Sequence, residues 1–222
     1  MTIDPHVLPD RDVLLLDARL RSFQGKRALV TGGLGFIGSN LVHALAALGS
    51  SVTVVDSLAP TQGGNRFNLE GLCGDVDVRI ADLLDEGVIE EAVRGRDFVF
   101  HIAGTGNHLD SLEAPLHDLD VNARSTLAVL ETVRRQAPEA AVVSAGTRSV
   151  YGEIQTTPVR EDHPLLPTEV NSANKAAADL YHNAYHHAHG LHAVSLRLTN
   201  TYGPRMLTEH FRQGFILSLI HI

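Results

Sequence analysis

The sequence predicts an α/β protein built on a doubly wound parallel sheet. A strand–turn–helix–strand pattern occupies Arg27–Asp56, a glycine-rich turn lies inside this pattern, and strand and helix patterns continue to alternate after it. Alternation of this kind favours right-handed crossovers between parallel strands, with helices on both faces of the sheet. We therefore expect one domain organised around this sheet.

The first unit of the predicted sheet begins with an apolar run, Arg27–Thr31, which suits a buried parallel strand. From Ile37 onwards the apolar residues have helical spacing, and Gly49 ends that pattern. Val52–Val55 predicts a second strand, and Asp56 stands at its carboxyl end.

Between the first strand and the helix, Gly32, Gly35 and Gly38 are spaced GxxGxxG. Glycines permit a tight turn and the close approach of a pyrophosphate to backbone N–H groups, and the helix N-terminus adds partial positive charge. Asp56 can accept hydrogen bonds from an adenosine ribose, and its charge would repel a 2′-phosphate. The pattern predicts a Rossmann-like site for NAD rather than NADP. A plain turn between a strand and a helix is the alternative.

The rest of the chain continues the alternation of strands and helices. Strands are predicted at Val76–Ala81, Phe98–Ile102, Ala141–Ser144 and Ala193–Leu198, and helices at Val88–Val93, Pro115–Arg135 and Ser172–His189.

We expect three parts in the chain. Residues 1–25 form an N-terminal extension with an amphipathic stretch, Asp12–Phe23, and residues 26–205 form the NAD-binding domain. Residues 206–222 are predicted to begin a substrate subdomain that is largely missing, so that this chain binds cofactor but turns over substrate poorly. The last residues, Leu217–Ile222, resemble a translated vector remnant, and an ordinary apolar helix end is the alternative.

Composition narrows the classes of function. The formal net charge is −8 and no basic patch stands out, which argues against a nucleic-acid partner. No apolar run approaches the length of a membrane span and no signal peptide is evident, so we expect a cytoplasmic protein without a membrane partner. Cys73 is the only cysteine, so an intrachain disulfide cannot form. His182 and His186 have i, i+4 spacing but no third ligand nearby, which predicts a solvated helix face and no metal site.

Residues 26 to 216 resemble the extended short-chain dehydrogenase/reductase family, which includes NAD-dependent epimerases and dehydratases of nucleotide-sugars. The resemblance rests on six short matches in the family's order. They are TGGLGFIG at the glycine turn, ADL at Ala81–Leu83, HIAG at His101–Gly104, DVN at Asp120–Asn122, SAGTRSVYG at Ser144–Gly152 and SLRLTNTYGPR at Ser195–Arg205.

The resemblance implies which residues bind the cofactor and the substrate. The implied NAD-binding residues are Gly32, Gly35, Phe36, Ile37, Gly38, Asp56, Asp82, Leu83, Ala103 and Lys175. Asp82 would contact the adenine amino group, with a cap on the next helix as its alternative. Asn200 would contact the diphosphate of a nucleotide-sugar, with an Asx-turn as its alternative. Arg205 could pair with a phosphate or lie on the surface.

The implied function is that of an NAD-dependent nucleotide-sugar epimerase or dehydratase, an isomerase or lyase that acts by transient hydride transfer to and from bound NAD. The implied catalytic residues include Thr147, at a strand end, and Lys175, the lysine of the family's Tyr-x-x-x-Lys pair. A turn hydroxyl that bonds the backbone is the alternative for Thr147. The two long predicted helices, Pro115–Arg135 and Ser172–His189, match those that form the family's dimer interface, so we expect a homodimer.

Asn171 stands where the family has its catalytic tyrosine, and an amide has no proton to exchange near neutral pH. Three explanations remain open: another group transfers the proton, the reaction depends less on the tyrosine, or the protein is a non-catalytic sensor of NAD or nucleotide-sugar. Tyr151 is the first candidate for the other group, with a packed aromatic as its alternative. We expect Asn171 to line the pocket, within hydrogen-bonding distance of a substrate hydroxyl or of Thr147.

Overall fold

The computed structural model describes residues 17–60, 62–106 and 108–206. Its strands are β1 (Arg27–Thr31), β2 (Ser51–Asp56), β3 (Val76–Ile80), β4 (Phe98–His101), β5 (Ala141–Thr147) and β6 (Ala193–Leu198). They pair in parallel in the order β3-β2-β1-β4-β5-β6. The order reverses between β1 and β4, which is where open α/β sheets bind ligands.

Six α-helices connect these strands in the described part of the chain. They are α1 (Phe36–Ala47), α2 (Val88–Val93), α3 (His108–Glu113), α4 (Pro115–Leu119), α5 (Ser125–Gln136) and α6 (Val170–His189). A π-helical turn, Asp120–Arg124, joins α4 to α5, so the predicted helix over Pro115–Arg135 is continuous but locally wider. Short 3-10 turns occupy Leu20–Phe23, Arg66–Leu69 and Arg148–Tyr151.

The sheet has a hydrophobic core on each face, because successive side chains of a strand point to opposite sides. On one face, Val30 of β1 packs with Val42 and Leu45 of α1. On the other face, Leu29 of β1 packs in the cluster that contains Leu130 of α5. These side chains are at most 1% exposed. The arrangement confirms the predicted doubly wound, Rossmann-like sheet.

Two glycines are required where α1 begins above β1. Gly32 has a φ of 68°, and a Cβ added there would lie 2.7 Å from the backbone nitrogen of Ala103. A Cβ added at Gly38 would lie 2.1 Å from the carbonyl oxygen of Gly32. Any larger side chain would force the helix away from the strand end. The glycine spacing seen in the sequence is therefore explained by close contacts between the backbone of the turn, the start of α1 and the segment after β4.

Several predicted boundaries differ from the observed ones. β5 extends three residues beyond the predicted Ala141–Ser144 and ends at Thr147. The helix α3 was not predicted, because its single apolar pair, Leu109 and Leu112, is exposed and gives no buried periodicity.

Some sequence predictions concern the ends of the chain. Of the amphipathic stretch Asp12–Phe23, only the part from residue 17 is described, and it contains the 3-10 turn. Leu217–Ile222 lies outside the described residues. The division of the chain at residues 25 and 205 stays a prediction. Across the ranges that the structure describes, no helix combines the length and the apolar character needed to cross a membrane.

Candidate cofactor and substrate site

A cleft of about 250 Å³ opens at the carboxyl ends of β1, β2 and β4, where the strand order reverses. It collects the predicted cofactor residues of the glycine turn, the two strand-end acids and the end of β4. Those lining it are Gly32, Gly35, Phe36, Ile37, Gly38, Asp56, Asp82, Leu83 and Ala103. Residues far apart in the chain meet here because parallel strands end at the same edge of the sheet.

Asp56 connects the glycine turn to the loop after β2. Its Oδ2 accepts a hydrogen bond from the backbone N–H of Leu34 at 2.9 Å, and its Oδ1 accepts one from Leu58 at 2.9 Å. A carboxylate has about four lone-pair positions, so both oxygens retain capacity for a ligand hydroxyl. The acid is therefore rigidly oriented and still able to accept hydrogen bonds from a ribose.

Asp82 lies two residues after the end of β3 and lines the cleft. Its Oδ1 accepts a hydrogen bond from the backbone N–H of Leu84 at 2.9 Å. The alternative that Asp82 caps the next helix does not hold, because the residue before α2 is Gly87. Its carboxylate shapes the turn after β3.

The residues of the cleft fit a dinucleotide. A Cβ at Gly35 would stand 3.4 Å from the nearest backbone atom, so this glycine leaves room above the turn without being required for packing. The N-terminus of α1, a helix of 12 residues, adds partial positive charge next to that space. An acid stands at the end of the neighbouring strand. A glycine cradle, a helix terminus and an acid are the features that hold a pyrophosphate and a ribose.

Comparison with known families agrees with this geometry. Residues 28–221 match the model of the NAD dependent epimerase/dehydratase family. The chain belongs to this family. The resemblance to extended short-chain dehydrogenases/reductases is thereby confirmed.

Individual relatives are similar over most of this chain. A dTDP-glucose 4,6-dehydratase of Streptomyces niveus is 36% identical over 192 residues, which cover 82% of this chain and 56% of the relative. A UDP-N-acetylglucosamine 4-epimerase of Methanobrevibacter ruminantium, solved with UDP-N-acetylmuramic acid, superposes with a TM-score of 0.82 at 30% identity, covering 89% of this chain and 62% of that one. The dTDP-glucose 4,6-dehydratase DesIV of Streptomyces venezuelae, solved with NAD and TYD bound, superposes with a TM-score of 0.77 at 32% identity. The match covers 88% of this chain and 62% of that one. The chain thus spans about three fifths of these relatives.

The lysine at position 175 of this family member does not line the cleft itself and lies behind Gly104, which does. Lys175 Nζ is 3.5 Å from the carbonyl oxygen of Ala145 in β5, and a Cβ added at Gly104 would lie 2.5 Å from it. Burial lowers the pKa of Lys175 to about 8, and the nearby Asp118 carboxylate opposes this shift. The ammonium group is therefore held between the ends of β4 and β5, beside the cofactor cleft.

Thr147 ends β5 and begins a 3-10 turn. Its Oγ1 accepts a hydrogen bond from the backbone N–H of Ser149 at 3.2 Å and lies 3.0 Å from the Ser149 hydroxyl. The alternative of a turn hydroxyl bonded to the backbone is therefore observed. Thr147 also lines a wide cavity of about 910 Å³ together with Asn200, so the same hydroxyl borders the space available to a substrate.

Asn171 differs from its prediction. It is 3% exposed and lines neither the cleft nor the wide cavity. Its Nδ2 donates to Asp118 Oδ2 at 2.8 Å and to the carbonyl oxygen of Thr105 at 3.1 Å, so it does not bond Thr147. The physical reason is that the buried Asp118 carboxylate requires donors, and an amide turned inward supplies one.

Asp118 is the centre of a buried network that the sequence analysis missed. Besides Asn171, it accepts a hydrogen bond from Asn174 Nδ2 at 2.7 Å and from the Thr105 hydroxyl at 2.7 Å. Asn122 donates to the Thr105 hydroxyl at 2.7 Å. Burial raises the pKa of Asp118, but the hydrogen bonds from Asn174, Asn171 and Thr105 outweigh it and hold that pKa below its usual value.

The sequence did contain a signal for this network. Asp118 and Asn122 are four residues apart and Asn171 and Asn174 three apart, which are helical spacings that put each polar pair on one face. Polar pairs of this kind are usually solvated, and nothing local showed that these two faces pack against each other.

Tyr151 is engaged in packing. It is 6% exposed, and its hydroxyl oxygen accepts a hydrogen bond from Arg197 Nη1 at 2.8 Å. Arg197 also donates to Asp179 at 2.8 Å, and the ring of His163 stands edge-on to the phenol ring. These contacts match the alternative of a packed aromatic with a satisfied hydroxyl.

The two predicted substrate residues are not brought together. Asn200 is exposed in the wide cavity. Arg205 lies outside it, with its Nη1 bonded to Asn40 Oδ1 of α1 at 2.7 Å. Arg205 therefore supports the contact between the last described residues and α1.

The expectation of a solvated histidine face on α6 was wrong for His182, which is 3% exposed. Its Nδ1 donates to the carbonyl oxygen of Ala178 at 2.8 Å, so its Nε2 accepts from the Ser144 hydroxyl at 2.7 Å. His101 is buried between Thr31 and Ser125, and burial lowers its pKa to about 3. Both rings are neutral parts of the core. Over the residues described, no cluster of three metal-ligating side chains occurs.

We predict that Asp118→Asn destabilises the protein by about 2–3 kcal/mol at neutral pH, because the new amide would face amide donors. The folded pKa of Asp118 lies below its unfolded value of about 3.9. The contribution of ionised Asp118 to the free energy of unfolding is therefore complete above the unfolded pKa and is lost as the pH falls through the folded pKa. The difference in unfolding free energy between wild type and variant, measured with urea, should therefore begin to shrink below about pH 4 and vanish only below the folded pKa of Asp118.

The matched control is Asp120→Asn, two residues away. Asp120 is partly exposed and pairs with Arg124 at 3.2 Å, a contact of small expected value. Equal destabilisation by the two variants would contradict a special role for the buried network.

Proposed function

We propose that this chain forms the NAD-binding part of a nucleotide-sugar epimerase or dehydratase that acts by transient hydride transfer to and from bound NAD. The observation that carries the proposal is the position of Lys175. It contacts Ala145 and lies against Gly104, and Gly104 lines the dinucleotide cleft. Two residues after Ala145, Thr147 lines the wide cavity. Lys175 lines neither space itself, but its ammonium group lies directly behind Gly104, between the wall of the dinucleotide cleft and the strand that ends at Thr147.

NAD is the proposed cofactor. Gly32, Gly35 and Gly38 would admit its pyrophosphate, and Asp56 would accept hydrogen bonds from its adenosine ribose. The ammonium of Lys175 would donate to the other ribose. When bound, NAD supplies a reversible acceptor for hydride, and the protein supplies orientation, electrostatics and proton transfer.

A nucleotide-sugar is the proposed substrate class. The relatives named above are a UDP-sugar epimerase and dTDP-glucose dehydratases. In this chain Thr147 would donate to a sugar hydroxyl, and Asn200, in the same cavity, would contact the diphosphate. The choice of sugar would depend on residues beyond those that line this cavity.

A second function is favoured by one specific observation. The residue at the tyrosine position, Asn171, is buried and turned away from both cavities. A protein that only senses NAD or nucleotide-sugar would tolerate such a change, because it needs no proton transfer. The experiment below distinguishes the two functions.

The proposed activity is tested with the chain in excess over UDP-glucose or dTDP-glucose in the presence of NAD. We expect conversion of the sugar to an epimer or a dehydrated product within a single turnover, followed by nuclear magnetic resonance. Working with protein in excess makes a slow reaction visible. Binding of NAD and sugar without any conversion would contradict catalysis and support the sensor.

The choice of NAD over NADP is tested at Asp56. Asp56→Asn should weaken NAD binding about tenfold, because the charge-assisted bonds to the ribose are lost, and should reduce discrimination against NADP. Calorimetry with both cofactors measures this. Asp77→Asn is the control, since Asp77 pairs with Arg79 at 2.7 Å outside the cleft. Tighter binding of NADP than NAD by the wild type would show that Asp56 is misassigned.

We also propose a homodimer formed by the surface of α3, α4 and α6. Five leucines on these helices are 43–75% exposed: Leu109, Leu112, Leu116, Leu119 and Leu180. The three helices pack on one another, and a cluster of exposed apolar residues on neighbouring helices is typical of a protein interface. The cytoplasmic location and the absence of a nucleic-acid partner stay predictions.

The interface is tested by sedimentation of Leu112→Glu/Leu116→Glu. We expect the wild type to sediment as a dimer at micromolar concentration and the variant as a monomer, because buried carboxylates would lack partners. Leu166→Glu is the control, as Leu166 is 51% exposed outside these helices. A monomeric wild type would exclude the dimer.

A further inference from the structure

Asn171, at the tyrosine position, and Tyr151, the first candidate to replace the tyrosine, both have hydrogen-bond partners within the protein. Asn171 donates to Asp118 and to the Thr105 carbonyl. The Tyr151 hydroxyl oxygen accepts from Arg197, whose guanidinium also binds Asp179. If the proposed function is correct, the proton of the sugar hydroxyl needs an acceptor other than the amide of Asn171.

A histidine–glutamate pair borders the wide cavity. His108 Nδ1 contacts Glu169 Oε2, and the two side chains are 51% and 45% exposed. Both line the cavity that also contains Thr147 and Asn200. Imidazole is the side chain best suited to exchange a proton near neutral pH, and a carboxylate at Nδ1 holds the tautomer in which Nε2 is the acceptor.

The fold explains why the pair stands beside the tyrosine position. Glu169 is the residue before α6, two residues ahead of Asn171. His108 opens α3, three residues after Thr105, whose carbonyl oxygen accepts from Asn171. The contact that turns Asn171 inward therefore also brings the start of α3 to the start of α6. The same packing of α3 against α6 therefore accounts for both the inward-facing amide of Asn171 and the outward-facing imidazole of His108.

Other charged groups also line this cavity. They are Arg148, Arg160, Arg197, Glu161 and Asp179. Asp179 and Arg197 neutralise each other at 2.7 Å. The only imidazole among the described residues that line the cavity is that of His108.

We propose that His108, held by Glu169, is the proton acceptor for the sugar hydroxyl in place of the missing tyrosine. This inference rests on the proposed function. The O–H bond of the sugar breaks and its proton passes to Nε2 of His108. The electron pair left on oxygen forms the carbonyl, as the sugar carbon gives its hydrogen and two electrons to NAD, the oxidant of the proposed function. In an epimerase the stored proton returns to oxygen when the carbonyl is reduced again, and in a dehydratase the carbonyl remains and the proton leaves with the expelled water.

The test compares His108→Asn, Glu169→Gln and the control His187→Asn, which alters an exposed histidine of α6 outside both cavities. In single turnovers followed by the absorbance of the reduced nicotinamide, His108→Asn should be slower by about 100-fold or more. The single-turnover rate of Glu169→Gln should fall by less than that of His108→Asn, and the rate of His187→Asn should equal that of the wild type. Affinities for NAD and for the nucleotide-sugar should stay within about twofold of the wild type, a change of less than about 0.5 kcal/mol.

Two further measurements separate a catalytic from a structural role. Added imidazole should restore part of the rate of His108→Ala, which a folding defect would not permit. Independently of turnover, the ring resonance of His108, assigned by its loss in His108→Asn, should shift when UDP-glucose is added in the absence of NAD.

Each outcome is decisive. If the wild type converts the sugar and His108→Asn does so at the same rate, this inference is overturned and the proposed function stands. If His108→Asn loses affinity in proportion to rate, or imidazole does not rescue His108→Ala, the role is structural and the inference is again overturned. If the wild type converts no sugar, the proposed function fails, and this inference fails with it.

Discussion

In a parallel sheet the carboxyl ends of all strands lie at the same edge, and in this protein that constraint determines where the candidate site lies. The glycine turn after β1, Asp56 after β2 and Gly104 after β4 meet there because their strands run in register. The reversal of strand order between β1 and β4 sends the crossovers to opposite faces and leaves a gap between them. The α1 helix can close one side of this gap only because Gly38 approaches the carbonyl of Gly32 without a side chain.

A second constraint, the need to satisfy a buried carboxylate, determines the residue at position 171, where the family has its tyrosine. A carboxylate that is 3% exposed must be fully hydrogen-bonded, and Asp118 obtains its donors from Thr105, Asn171 and Asn174. Asparagine suits this position because its amide donates toward the carboxylate. A phenol there would face the same anion, and a neighbouring negative charge raises the pKa of a phenol. The hydrogen bond to Asp118 thus accounts for an asparagine, rather than a tyrosine, at position 171.

The sequence was most informative where structure is determined locally. The run Arg27–Thr31, the glycine spacing and the acid at the end of the second strand predicted β1, the start of α1 and the cofactor cleft, because each depends on near neighbours in the chain. Asn171 was misplaced because its partner Asp118 is 53 residues away, and no local pattern records that contact.

The same limit applies to the histidines of the chain. The burial of His182 depends on Ser144, 38 residues earlier. The pairing of His108 with Glu169 joins two helix ends that only the packing of α3 on α6 brings together.

The buried network and the lysine are linked by charge. Lys175 is one helical turn beyond Asn171, and burial lowers its pKa to about 8. Below that pH the folded protein carries a poorly solvated ammonium, which lowers the free energy of unfolding. Between the folded pKa and the unfolded pKa of about 10.4, the folded protein has lost this proton but the unfolded chain still binds it. The loss of stability therefore shrinks as the pH rises through this range. The anion of Asp118 opposes this cost and keeps the ammonium charged near neutral pH. A charged lysine beside Gly104 is what a ribose hydroxyl would meet. Asp118 therefore interacts with Lys175 through charge and with Asn171 through a hydrogen bond, although none of the three lines the cleft or the wide cavity.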